Sequence, residues 1–558
     1  MEIKRQELGC DVLIAGGGIA GLCCAAALKE QSPELDILIV EKQTAGYGGK
    51  ANKGGGVLQY FQLDRITPMD FLAFHVNAIG CYLGDQEMML KYVEMNHALL
   101  DRLSSWGVNV PKNEDGSYNV APTGPFTSMI CVDLDITLQI RRRAEKLGVR
   151  ILDKTAMAEL FVENGEIRGA AAYSILDGTF YAIRAKKVVL ATGSQNYRIA
   201  SMWSSGRGDG IAAAYRAGAK MRNAEFGNFA QLMKVKSHNE VVFGENFMYN
   251  AKGEHVTKNF CKMRETDINS SAIREWYLNM QNGTGPIHLD FGPQDGSDDQ
   301  LAIWKRPYGQ KFRDLNTESA NEVDKDLEVC PLFVGEQSPI RVEHDMQTSI
   351  TGLYAIGDCS YSGSGAPGAV PAPPGRNRGS GILNAVFAAV VCAEGMKDVK
   401  MPEGEHALCP EAVADCFKAV YAPLERSEGH RAKEVIALVQ QAMAPMEQSV
   451  YMKLDRMEKA LEYVKQAKEL AKTLRAEDMH DLLACHEAEA MVLSAEMHYT
   501  ASMARRESRG WFLREDYPQM DNENWLKWII IQNKNGEMTL STEDVPIEKW
   551  PIQPAPTV

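Results

Sequence analysis

The sequence predicts an α/β chain: a Rossmann-type nucleotide-binding domain, a stretch that breaks its rhythm, and a helical bundle. Three observations predict it. A strand, a glycine-rich turn, a helix and a second strand run from Asp11 to Glu41, reading DVLIAGGGIAGLCCAAALKEQSPELDILIVE. The βαβ rhythm then breaks between Met221 and about Gly335, and from Cys409 onward the texture changes to long amphipathic helices.

The opening stretch satisfies the context that a dinucleotide fingerprint requires. In Gly16-Gly17-Gly18-Ile19-Ala20-Gly21, Gly16 suits the tight turn, Gly18 the close approach of a pyrophosphate, and Gly21 the packing of helix on strand. The new helix presents free backbone N–H groups and the positive end of its dipole to negative charge. Glu41, just past the second strand, is placed to accept ribose hydroxyls and would repel a 2′-phosphate. The fingerprint leaves NAD and FAD both open.

Bulk properties narrow the class. At 558 residues the chain is long enough for two to four domains, and 45% apolar and 24% charged residues are ordinary for a soluble globular protein. A formal net charge of −14 argues against a nucleic-acid or anionic-membrane partner, so an anionic substrate must be held by local arginines. No run of about 18 apolar residues occurs, and the start MEIKRQELGC lacks an apolar signal core, which predicts a cytoplasmic chain. Twelve cysteines without CxxC or zinc spacing read as reduced, mostly packed thiols, with no metal or iron–sulfur site of the chain's own.

After Glu41 a loop rich in glycine carries Lys42, Gly49, Lys50, Gly54 and Gly55, permitting close backbone approach and supplying positive charge. Residues 68–106 read as helices, 137–147 as another, and 149–152 as a strand. Residues 159–183 alternate apolar runs with Glu163-Asn164-Gly165 and Leu176-Asp177-Gly178, the pattern of a β-meander. It leads into a buried strand at 187–190 ending on Ala191-Thr192-Gly193; Asp209 can then cap a helix over 212–217.

The fingerprint ending on Glu41, the meander, ATGS at 191–194, GDGIAAAYRAGA at 208–219 and TGLYAIGDC at 351–359 occur in this order. Together they resemble the FAD-dependent flavoprotein subunits of succinate dehydrogenase, fumarate reductase, aspartate oxidase and adenylylsulfate reductase. The resemblance implies a Rossmann-type FAD-binding domain in two parts, 1–222 and 335–404. It further implies an inserted α+β capping domain at 223–334, a C-terminal helical bundle at 405–503, and a tail at 504–558 that packs on the flavin domain or a partner. It implies that Gly357 and Asp358 meet the ribityl chain, and that Ser380, Gly381 and Ile382 open a helix aimed at the flavin pyrimidine. Some members attach FAD through a histidine after the ribose acid. None stands between Glu41 and Leu63, so FAD is expected to be non-covalent.

The inserted region departs from the succinate and fumarate enzymes. Their histidine-proline-threonine-glycine motif is replaced by Gly227-Asn228-Phe229-Ala230-Gln231, and their arginine-glycine-glutamate-glycine run by Phe243-Gly244-Glu245-Asn246-Phe247. A further histidine gives way to Val334-Gly335-Glu336-Gln337-Ser338-Pro339. The stretches 243–254 and 285–289 look loosely more like the larger chain of adenylylsulfate reductase. Above the flavin the resemblance places a proline- and glycine-rich loop, 362–378, in which Arg378 falls near the family's substrate-clamping arginine. Glu245 and His255 are the candidate proton carriers.

In the helical region Leu454, Met457, Leu461, Val464, Ala467, Ala471 and Leu474 recur at spacings of three and four, and its methionines read as core filler. Arg505-Arg506-Glu507-Ser508-Arg509-Gly510 and Arg514-Glu515-Asp516-Tyr517-Pro518 again resemble the family C-terminus, and the tail bears Trp525, Trp528 and Trp550.

The expected function is therefore that of the flavoprotein subunit of a reductase or dehydrogenase. It would exchange two electrons between a small anionic substrate and an iron–sulfur, ferredoxin-like partner subunit. The alternatives are a self-sufficient flavin oxidase of the aspartate-oxidase type and a non-catalytic assembly subunit that retains FAD.

Overall fold

A computed structural model describes residues 3–52, 56–122, 126, 128–199, 206–227, 230–241, 247–257, 265–290, 327–333, 335–361, 381–396, 407–510 and 512–555. The central sheet is built on strand β1, Arg5–Ala15, which pairs in parallel with β2, Ile37–Glu41, on one side and with Phe180–Leu190 on the other. Beyond β2 lies Arg150–Asp153, also parallel; beyond Phe180–Leu190 come the antiparallel strands Glu166–Ser174 and Thr155–Glu163.

The expected meander is present, but its last strand and the buried strand expected at 187–190 are one. Phe180–Leu190 is one continuous strand that pairs with β1 along its length. Its first half also carries the antiparallel neighbour Glu166–Ser174, and its last residues carry the parallel strand Leu353–Ala355. Arg184 alternates outward between buried Ile183 and Ala185, on the solvent side of one strand.

Helix α1, Ile19–Gln31, is buried from Ile19 to Lys29, and Cys23, Cys24, Ala25, Ala26 and Ala27 are small enough for close packing on both flanks. It lies against the helices Ile136–Lys146 and Gly381–Met396. Burial of Leu22 and Leu28 contributes roughly 1.5–3 kcal/mol each, so packing and not surface amphipathicity fixes this helix and the turn before it.

The described part of 223–334 carries a five-stranded sheet of its own, Ala230–Lys234, Ser237–Val241, Met248–Tyr249, His288–Leu289 and Leu327–Phe333. Helix Glu265–Gln281 is tied to it where Trp276 Nε1 donates to the Val329 carbonyl at 2.9 Å. The C-terminal helices Pro410–Glu425, Ala432–Met443, Leu454–Ala471 and Met479–Ala504 pack inward through Met457, Ala460, Val464, Ala467 and Met491. Leu454, at the start of its helix, is an exception to the expected apolar stripe and stays exposed.

The tail docks on this chain. Strand Lys527–Lys534 pairs antiparallel with Met221–Arg222, and Trp528 Nε1 donates to the Leu83 carbonyl at 2.8 Å. Beside it Arg505, Glu507 and Arg509 are fully buried: Arg505 Nε donates to Glu225 Oε1 at 2.8 Å, and Arg509 Nη1 to the Cys81 carbonyl at 2.7 Å. Those two clamps on 81–83 hold a π turn at Val76–Gly80 and the left-handed residues Cys81 and Tyr82, each costing about 1–3 kcal/mol.

Candidate functional site

The site forms where β1, Phe180–Leu190 and Leu353–Ala355 all end, the crevice in which doubly wound sheets take nucleotides. At Gly16, φ is 111° and an added Cβ would stand 2.3 Å from the Ala191 carbonyl oxygen; at Gly21 a Cβ would stand 2.0 Å from the Gly16 oxygen. Close backbone approach explains both glycines. Gly18, the N-cap of α1, is different, because a Cβ there meets nothing within 4 Å. It borders open space at a helix N-terminus, and Gly49 faces it, with an added Cβ 3.7 Å from the Gly18 Cα. Contacts within the chain leave Gly18 unexplained, while a pyrophosphate on the helix terminus would fill the space and use its N–H groups.

Glu41 is buried and accepts the Gly17 N–H at Oε2 and the Gln43 N–H at Oε1, both at 2.7 Å. The carboxylate is thus oriented by backbone donors, and its other lone pairs remain for hydroxyls. Ala191, Thr192 and Gly193 continue the Phe180–Leu190 strand past its end, and Gly193 turns with a φ of 79°. Gly357, with a φ of 64°, packs so that a Cβ would lie 2.9 Å from that of Ala20. Asp358 follows it, and Gly381 and Ile382 open the helix Gly381–Met396.

The two loop lysines have specific acidic partners. Lys42 Nζ lies 2.5 Å from Asp209 Oδ2 and 3.0 Å from Glu487 Oε1. Burial pushes its pKa down, but Asp209 and Glu487 outweigh that and hold it above the ordinary lysine value. Lys50 Nζ lies 2.5 Å from Glu336 Oε1, 3.1 Å from Ser194 Oγ and 3.4 Å from Asp358 Oδ2.

The expected capping role of Asp209 is corrected. The helix starts at Asp209, not at 212, and Gly208 is its N-cap at a φ of 72°; the Asp209 carboxylate turns away to Lys42, a full charge, in preference to a backbone N–H. His255 stands in a turn of the inserted region, stacked on Tyr249 with centroids 4.6 Å apart, its Nε2 3.2 Å from Thr257 Oγ1. Arg378, Glu245, Gly54, Gly55 and Ser380 lie outside the described residues.

Three buried acids were missed by motif reading: Glu336, Glu487 and Glu225. Glu487 accepts from Lys42 and Arg198, and Arg207 stands 3.5 Å away; burial alone would raise its pKa, yet Lys42, Arg198 and Arg207 hold it below the carboxylate range. Its helix reads in sequence as ordinary core, and the only local signal is a glutamate among alanines and methionines. Among the described residues no group of three His, Cys, Asp or Glu could hold a metal ion, and no helix is long and apolar enough to cross a membrane.

A family model described as the FAD binding domain matches residues 11–242, and one described as the fumarate reductase flavoprotein C-terminus matches 439–558. The chain joins these two domains, and its relatives are fumarate reductase flavoprotein subunits. It is thus an FAD-dependent oxidoreductase. The fumarate reductase flavoprotein subunit of Haemophilus influenzae is 24% identical, covering 99% of this chain and 96% of its own. The 8-methylmenaquinol:fumarate reductase flavoprotein subunit of Wolinella succinogenes is 23% identical, over 98% of this chain and 92% of its own. In structure, this flavoprotein superposes on a mutant E. coli quinol fumarate reductase with a TM-score of 0.84 at 20% identity, covering 99% of this chain and 98% of the other. Adenylylsulfate reductase from Archaeoglobus fulgidus gives 0.76 at 19% identity, over 98% and 97%. Both likenesses show the fold; neither transfers a substrate.

Proposed function

We propose that this flavoprotein exchanges two electrons between a small anionic substrate and an iron–sulfur partner subunit, with FAD held non-covalently in the glycine-lined crevice. The observation that carries the reading is the open space at Gly18, at the N-terminus of α1 and opposite Gly49. In this reading Gly16, Gly18, Ala20 and Gly21 receive the pyrophosphate, with Gly49, Gly54 and Gly55 closing over it. Glu41 accepts the ribose hydroxyls, while Lys42 and Asp209 flank that end. Ala191, Thr192 and Gly193 border the crevice, and Gly357 and Asp358 receive the ribityl chain beside Lys50. Ser380, Gly381 and Ile382 present the next helix N-terminus to the pyrimidine.

Bound FAD supplies the redox chemistry, taking or giving two electrons. The chain's part is to orient substrate and manage charge and protons. Arg378 clamps the substrate's oxyanion by its planar fork, and Glu245 and His255 carry protons. The electrons come from a separate chain in this reading, because the cysteines here lack the spacing that binds an iron–sulfur cluster. The relatives named as fumarate reductase flavoprotein subunits support such an electron-transfer partner.

The test is anaerobic. The chemically reduced holoprotein is mixed with a dicarboxylate such as fumarate, with a sulfur oxyanion ester such as adenylylsulfate, or with air. Reoxidation of the flavin by one small anion is expected to outpace that by oxygen. Peroxide formation faster than any of these reactions, driven by amino acids as donors, would make the protein an oxidase instead.

A further inference from the structure

Lys42 belongs to the loop that follows the ribose acid, and Asp209 opens the helix after the Phe180–Leu190 strand. The group that joins them comes from much farther along the chain. Glu487, in helix Met479–Ala504 and 445 residues from Lys42, accepts its ammonium at 3.0 Å. Its side chain is 7% exposed and also meets Arg198 and Arg207, so three cations share two carboxylates, Asp209 and Glu487.

Lys42 lies between Glu41 and Gln43, and the Gln43 N–H is one of the two donors that orient the Glu41 carboxylate. Fixing Lys42 fixes that turn. The loop has other supports, since the Ala45 N–H donates to Asp153 at 2.7 Å and the Lys154 N–H to the Gln43 carbonyl at 2.9 Å. Loss of the Lys42 contact therefore loosens the turn without unfolding it.

We propose that Glu487 is a positioning residue for FAD: through Lys42 it holds the Glu41–Gln43 turn in the geometry that receives the adenosine ribose, so that docking of the C-terminal helices sets cofactor affinity. The inference rests on the placement of FAD proposed above. Glu487 touches no cofactor atom in this scheme; it acts through Lys42. A partly buried cluster of this kind is screened little by salt, so its effect persists at physiological ionic strength.

The experiment titrates the full-length apoprotein with FAD, following quenching of flavin fluorescence, for the native chain, Glu487→Gln, Glu487→Asp, Gly18→Val and the neighbouring control Glu489→Gln. Glu487→Gln is expected to raise the FAD Kd about tenfold, equivalent to about 1.4 kcal/mol. Its apoprotein should melt as the Glu489→Gln control does, and Glu487→Asp should recover part of the affinity. Native affinity in Glu487→Gln, with binding lost in Gly18→Val, overturns the proposal and leaves the crevice intact. Native affinity in Gly18→Val instead refutes the crevice. A fall in Glu487→Gln affinity matched by a fall in apoprotein melting temperature assigns Glu487 to folding alone and also overturns it. Should Glu487→Gln fail to fold, Lys42→Met, which removes the same contact from the loop side, must show the tenfold loss; native affinity there is equally fatal.

Discussion

A Cβ on Gly21 would lie 2.0 Å from the carbonyl oxygen of Gly16, whereas one on Gly18 would meet nothing within 4 Å. Two glycines of one motif are thus separated by cause: the fold demands the first, and the second is left for a ligand to explain. Gly21→Ala is expected to lower apoprotein stability by about 1–3 kcal/mol, the range for overpacking. Gly18→Ala should cost about 1 kcal/mol or less, the loss of a favourable N-cap residue. Urea unfolding of both apoproteins checks the contrast.

Arg505 is the fully buried partner of both Glu225 and Glu507. Burial raises the Glu225 pKa against the opposing pull of Arg505, so removing the arginine strands a carboxylate in the interior. Arg505→Met is expected to cost about 3–5 kcal/mol, and Glu225→Gln combined with Arg505→Met less than the sum of the single changes. A double-mutant cycle by chemical denaturation measures the difference.

The tail strand is part of the fold and not an appendage. Ile529 is fully buried where Lys527–Lys534 pairs with Met221–Arg222. Ile529→Ala is expected to destabilise the chain by about 2–5 kcal/mol. A loss within experimental error in denaturant unfolding would mean that the tail is only loosely attached.

His344 Nε2 lies 2.7 Å from Asp85 Oδ2, and that hydrogen bond is the main reason its pKa stands above the ordinary 6.5. A histidine with a raised folded pKa contributes stability that is fully present below its unfolded pKa and disappears as pH rises through the folded one. The group is half exposed, so the effect is small. The melting-temperature difference between the native chain and His344→Gln should be measurable near about pH 6 and vanish near about pH 9. A difference independent of pH would contradict the assignment.

The sequence made the crevice legible because its determinants are local. Strand, glycine turn, helix and acid follow one another between Asp11 and Glu41, and each leaves a mark within a few residues. The same holds for Gly357-Asp358 and for the methionines of Met479–Ala504 as core. What escaped depends on distant partners. Nothing near Lys42 or Lys50 announces Glu487 or Glu336, because an acid that meets a lysine across hundreds of residues has no spacing to recognise. The Asp209 cap failed for a related reason: local propensity favours the N-terminal N–H groups, but a distant ammonium competes for the carboxylate and wins. The joined strand Phe180–Leu190 escaped because its first half and its last residues take different partners, Glu166–Ser174 and Leu353–Ala355, and that pairing leaves no local mark.

FAD is proposed to occupy the crevice beside Gly18 without a covalent bond. The most direct measurement is the flavin content of the full-length native chain and of Gly18→Val, each incubated with FAD, desalted and precipitated with acid, with folding followed by circular dichroism. Stoichiometric FAD is expected in the native supernatant and almost none from a Gly18→Val chain that retains the native spectrum. Equal flavin in both supernatants, flavin retained in the native pellet, or a folded native chain that takes up none would contradict it.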